Sequence, residues 1–93
     1  MLTTDQEHII INTLKKCNPS LIGIFGSYAR NEQTDNSDID ILLDTNEKIH
    51  LLELIGLEQE LSEILGIKVD LVTMKSLKAQ LKPYIQKDLI RIL

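Results

Sequence analysis

Asp38 and Asp40 stand two residues apart at the end of GSYARNEQTDNSDID, residues 26–40, a stretch that opens on a Gly-Ser pair. On an extended strand this spacing sends both carboxylates out of one face, close to one another. Two unpaired carboxylates held that near repel, and one is driven toward protonation. A hard divalent cation reverses the cost. Mg²⁺ takes oxygen ligands, commonly one or two carboxylates, with waters and substrate phosphates filling its octahedron. Asp70, in the run IKVDLVT, is the third candidate ligand. Three acids can hold two ions, one activating an attacking oxygen and the other steadying the leaving oxygens of an in-line phosphoryl-type displacement.

Gly26 and Ser27 supply the other half of such a site. Glycine lets the backbone approach a phosphate, and a helix beginning at Ser27 directs free N–H groups at the anion. The Ser27 hydroxyl adds a donor, and Arg30, one turn on, adds a cation. Gly-Ser alone is a weak signal, and so is Asp-x-Asp. A phosphate grip about a dozen residues before a metal-binding pair is far more specific.

These side chains need a scaffold that fixes them. TTDQEHIIINTLKKCNP carries Thr4 and Glu7 at capping-box spacing and reads as a helix ending before Pro19. SLIGIF reads as a buried strand running into Gly26. DIDILLD reads as a second strand, with Ile39, Ile41 and Leu43 on one face and Asp38, Asp40 and Leu42 on the other. From about Glu47 to Leu65 the apolar positions Leu54, Leu57, Leu61, Ile64 and Leu65 recur at helical spacing, and Gly66 stops the helix. IKVDLVT is a third strand with Asp70 on its polar face, and KSLKAQLKPYIQKDLIRIL returns to helix, interrupted or restarted at Pro83. The alternation predicts an α/β fold: one domain over residues 1–93, with a small mixed sheet of three or more strands flanked by helices. The short link between the first two strands leaves their pairing open.

Composition bounds the function classes. The chain has 93 residues, 43% of them hydrophobic and only 3% aromatic, which is globular composition. Its formal net charge of −4 gives no general attraction to nucleic acid, which counts against a polymerase-like role. One cysteine allows no intrachain disulfide, no apolar run approaches the ~20 residues of a membrane span, and the N-terminus lacks a signal-peptide pattern. The cytoplasm is the expected compartment.

GSYARN followed by SDID resembles the GSxARG…SDxD signature of the DNA polymerase beta-like nucleotidyltransferase superfamily. More narrowly, the chain is similar to the minimal nucleotidyltransferase (MNT) proteins, single small domains, over essentially its whole length. The resemblance implies that Gly26 and Ser27 bind the terminal phosphates of ATP, with Arg30 matching the motif arginine. It implies that Asp38 and Asp40 ligate two Mg²⁺ ions, and that Asp70 completes one site and helps activate the acceptor hydroxyl. It further implies a partner: MNT proteins are commonly paired with a HEPN-domain ribonuclease toxin, for which they act as antitoxin by binding and by adenylylating a tyrosine. One departure shows, because Asn31 stands where the family's usual glycine follows the arginine. If that glycine serves a left-handed backbone, Asn is the next best tolerated residue.

Plainer readings compete at several positions. Asp38, Asp40 and Asp70 can be solvated strand residues, and Arg30 can merely pair with Glu32 or Asp35. Asp44 reads as a surface strand end, His8 and His50 as exposed helix residues, Cys17 as a small core hydrophobe and Tyr28 as packing beneath the phosphate loop. Tyr84, Ile85, Leu89, Ile90 and Ile92 are either a docking surface or the completion of the core. Two alternative functions stay open: a non-catalytic binding antitoxin or scaffold of the same fold, supported by Asn31, and the nucleotidyl-transferring subunit of an aminoglycoside-type enzyme. Homo- and hetero-oligomeric states both stay open, and the aminoglycoside-type role requires a separate substrate-binding subunit.

Overall fold

The computed structural model describes all 93 residues. Helix α1 (Thr4–Leu14) is followed by strand β1 (Pro19–Phe25), strand β2 (Ile39–Thr45), helix α2 (Leu51–Leu65), strand β3 (Val69–Thr73), helix α3 (Lys82–Asp88) and strand β4 (Ile90–Arg91). The sheet order is β3-β2-β1-β4. β1 pairs antiparallel with both β2 and β4, while β2 and β3 are parallel. The sheet is therefore mixed, and the open question of the first two strands resolves as an antiparallel pair, which needs no crossover helix.

The period-2 pattern of β2 decides what each face does. Ile39, Ile41 and Leu43 are fully buried and join Ile22, Ile24, Val69 and Leu71 beneath α1 and α2, which contribute Ile10, Leu14, Leu57 and Leu61. Each such side chain removed from water contributes about 1.5–3 kcal/mol. The opposite face carries Asp40 and a fully buried Leu42. Leu89, just after α3, packs over this face at Gly23, where a Cβ would overlap its side chain.

β3 is an edge strand, and α2 blunts it. Ser62 Oγ accepts from the Val69 N–H at 2.9 Å and Glu58 Oε2 accepts from the Leu71 N–H at 2.6 Å. Both satisfy ladder groups that would otherwise invite another strand. Gly66 ends α2 in the left-handed region at φ 68°, as its position in the sequence implies.

Three local expectations need correction. The capping box of α1 is formed by Thr3 and Gln6, one residue before the Thr4–Glu7 pair, whose spacing is equally good. The long helix begins at Leu51 rather than near Glu47. The C-terminal run is not helix throughout. α3 stops at Asp88, and Ile90 and Arg91 pair with Ile24 and Gly23. An unpaired edge of β1 offers backbone partners that a continued helix could not reach. No helix of the structure is long and apolar enough to cross a membrane.

Candidate active site

The turn and the carboxylates meet at one end of the sheet. β1 delivers the chain to Gly26, which has φ 74° and opens a single 3₁₀ turn, Gly26–Tyr28. The Gly26 carbonyl accepts from the N–H groups of Ala29 and Arg30, each at 3.1 Å. The helix expected from Ser27 is thus one tight turn, stopped at Asn31 by its φ of 58°. One turn supplies no extended helix dipole, and it places the glycine backbone, the Ser27 hydroxyl and Arg30 together as candidate anion-binding groups. Tyr28 is buried in the main core and braces the turn from below.

Gly26 touches Asp40. A Cβ at Gly26 would overlap the Asp40 Oδ2, and Phe25 is the register partner of Asp40 across β1 and β2. Asp40 in turn lies directly opposite Asp70 in the parallel β2–β3 ladder. Neighbouring strands are ~4.8 Å apart and alternate residues ~6.6 Å apart, so Asp38, Asp40 and Asp70 start from backbone positions within reach of a shared ion. Burial pushes the Asp40 carboxyl above the ordinary carboxylate range, and the negative charges of Asp70 and Asp38 push it further, partly opposed by Arg30.

The three side chains do not close into a ready-made metal cage. Asp38 leans instead toward Lys68 Nζ, at 3.8 Å. The donor set nevertheless fits a hard divalent cation: oxygen ligands only, carrying like charges whose repulsion such an ion relieves.

Arg30 is held by two acids. Nη1 donates to Asp88 Oδ2 at 2.7 Å and Nε donates to Glu32 Oε2 at 3.4 Å. Arg30 is a permanent cation by its guanidinium chemistry, and the Asp88 hydrogen bond raises its pKa above the ordinary value. Of the two partners the sequence offered, Glu32 is used and Asp35 is not. Asp88 and Lys68 are the residues missed. Lys68 was legible, since it shares strand parity with Asp70, two positions on. Asp88 had no local signal, because 58 residues separate it from Arg30.

Residues 9–92 match the family described as Nucleotidyltransferase domain. The chain belongs to that family. A relative from Methanocaldococcus jannaschii is 60% identical over 72 residues, 76% of this chain and 74% of its own. Protein adenylyltransferase MntA of Thermococcus cleftensis is 42% identical over 71 residues, 76% of this chain and 72% of its own. Among solved structures, a toxin-antitoxin with AMP-PNP superposes at TM-score 0.87 with 30% identity, covering 94% of this chain and 72% of that one. A tri-AMPylated Shewanella oneidensis HEPN toxin in complex with MNT antitoxin matches at TM-score 0.82 with 26% identity, covering 99% of this chain and 72% of that one.

The remaining candidates of this nucleotidyltransferase fall outside the cluster. His8 and His50 are exposed, and Asp44 lies toward the far end of β2. Cys17 is half-buried beside Glu53, and burial followed by the Glu53 charge pushes its thiol up, away from the reactive thiolate. The C-terminal stripe divides: Leu89 and Ile92 pack inward, whereas Tyr84 is 74% exposed and Ile90 37%.

Asn31 occupies the left-handed region, and its Oδ1 accepts from the N-terminal ammonium at 3.0 Å. The departure from the signature is therefore accommodated in this nucleotidyltransferase. Restoring glycine by Asn31→Gly is expected to change stability by only a few tenths of a kcal/mol and leave transfer within about twofold. Asn31→Val should cost at least ~1 kcal/mol. Chemical denaturation and nucleotidyl-transfer assays on both variants check this.

Proposed function

We propose that this nucleotidyltransferase is a Mg²⁺-dependent protein adenylyltransferase, moving AMP from ATP to a tyrosine hydroxyl of a HEPN-domain ribonuclease toxin and thereby acting as its antitoxin. The observation that carries the reading is the contact of the Gly26 turn with Asp40, itself in register with Asp70. A phosphate-binding turn and an acidic cluster are thereby joined without a gap. The similarity to a named protein adenylyltransferase and to toxin-antitoxin complexes, one with AMP-PNP and one with an AMPylated HEPN toxin, supports the choice of donor and acceptor.

Gly26 and Ser27 take the terminal phosphates, with Arg30 supplying a fixed positive charge beside them. Asp38, Asp40 and Asp70 are the residues that would hold magnesium. When bound, magnesium supplies neutralising charge to the phosphates and lowers the barrier to displacement at phosphorus. Asp70 accepts the acceptor's phenolic proton as its oxygen bonds to the α-phosphorus. The bond from the α-phosphorus to the bridging oxygen of the β-phosphate breaks, and pyrophosphate leaves against Gly26, Ser27 and Arg30. Asn31 was the feature favouring a binding-only protein, and its left-handed backbone removes that argument.

Incubation with α-labelled ATP, Mg²⁺ and the HEPN partner should place label on the partner and suppress its ribonuclease activity. Asp38→Ala should abolish both effects of the transfer. Suppression of the ribonuclease without label, by wild type and variant alike, would sink the enzymatic reading.

A further inference from the structure

We infer that Asp88 is a positioning residue for nucleotide binding: its carboxylate fixes one edge of the Arg30 guanidinium and turns the remaining donors toward the triphosphate. This rests on the phosphate role of Arg30 proposed above. A guanidinium carries five N–H donors in a planar fork. Asp88 and Glu32 engage one Nη1 donor and the Nε donor, which leaves three N–H donors, both on Nη2 and one on Nη1, for a ligand. Asp88 is the stronger holder, at 2.7 Å and 22% exposed, against 3.4 Å and 65% exposed for Glu32.

The position of Asp88 makes little sense for α3 by itself. It is the last residue of the helix, where the carbonyl ends disfavour a carboxylate and favour a cation such as the preceding Lys87. Arg30 supplies the compensating charge through its 2.7 Å contact with the Asp88 carboxylate. Both members of the pair are also anchored. The Arg30 N–H donates to the Gly26 carbonyl, while the residues after Asp88 are pinned to β1 by Leu89 on Gly23 and by the pairing of Ile90 with Ile24. Gly26, whose carbonyl holds the Arg30 N–H, is the residue packed against the Asp40 carboxylate, so the held arginine is tied to the acidic cluster through the turn. An arginine held in this way loses less side-chain freedom when a phosphate arrives.

The test measures AMP-PNP affinity by calorimetry with Mg²⁺ on the full chain, alongside KM and kcat for ATP. Asp88→Asn should weaken AMP-PNP binding about tenfold and raise KM with a smaller change in kcat. Asp88→Glu should recover most of the loss. In an Arg30→Ala background, Asp88→Asn should have no further effect. Three results would overturn the inference: Asp88→Asn binding within twofold of wild type, binding more tightly, or losing as much without Arg30 as with it. If Arg30→Ala itself binds normally, the phosphate role fails and this inference with it. If Arg30→Ala is weakened while Asp88→Asn is not, the phosphate role stands and only the part given to Asp88 falls.

Discussion

Asp40→Asn should abolish nucleotidyl transfer, by ~10³-fold or more, and at the same time raise the thermal midpoint of the metal-free protein at neutral pH. The two effects share a cause. Asp40 lies in a partly buried position facing Asp70 and close to Asp38, and its folded-state pKa is raised by burial first and by those two charges second. A carboxyl with a raised folded pKa holds a proton that the unfolded chain has already released. Stability therefore falls as pH rises from about 3.9, the unfolded value, to the folded value, and the loss is complete above it. Asparagine carries no charge to desolvate, so the variant escapes that loss. For a domain of this size each kcal/mol regained appears as roughly 4–8 °C.

The pH profile supplies the check, since the midpoint difference between Asp40→Asn and wild type should grow as pH rises through that window and then level off. Adding Mg²⁺ should stabilise wild type by mass action and leave the variant nearly unmoved. A variant less stable than wild type at pH 7 without metal would mean that the acidic cluster is not strained in the free protein. Thermal unfolding with and without Mg²⁺, beside a labelled-ATP assay, decides the matter.

The acidic cluster was readable because strand alternation is a strict rule. Once Ile39, Ile41 and Leu43 face inward, Asp40 must face outward, and the same holds for Asp70 between Val69 and Leu71. The parallel register that sets Asp40 opposite Asp70 is a tertiary fact. Strand parity narrows it to a face without selecting the partner. The turn was readable from Gly26 and Ser27, but its length was not. Asn31 closes it after one 3₁₀ turn, and a left-handed Asn is a permitted choice rather than a required one.

At the two termini the sequence offered near-equal options. Thr3-x-x-Gln6 and Thr4-x-x-Glu7 satisfy the same capping rule, and the chain uses the first. The LIRIL ending suits either a helix or an edge strand. The free backbone groups of β1 decide for the strand, and with that choice Asp88 comes to rest against Arg30. No local pattern can announce a contact of that kind, because it depends on where a distant edge is left unpaired.

Gly26→Ala and Gly66→Ala impose almost the same backbone demand and should differ sharply in their consequences for function. Both glycines sit in the left-handed region, at φ 74° and 68°. A methyl group on either should cost about 1–2 kcal/mol of stability from that conformation alone. Around Gly66 a Cβ meets open space, so nothing else has to move. At Gly26 the methyl overlaps the Asp40 Oδ2 and also contacts the rest of that side chain. The carboxylate is a side-chain end and can swing aside, so the fold survives. It swings away from the place where Asp40 and Asp70 face each other, however, and a displacement of about 1 Å at a reacting centre commonly costs ~10²-fold. Gly26→Ala should therefore lose ~10²-fold in transfer while unfolding near the same denaturant midpoint as Gly66→Ala, whose transfer rate stays within about twofold of wild type. Equal losses of activity in the two variants would show that the turn acts through stability alone. Unequal losses at equal stability would assign the difference to the Gly26–Asp40 contact, the joint between the proposed phosphate grip and the acidic cluster on which the proposed chemistry depends.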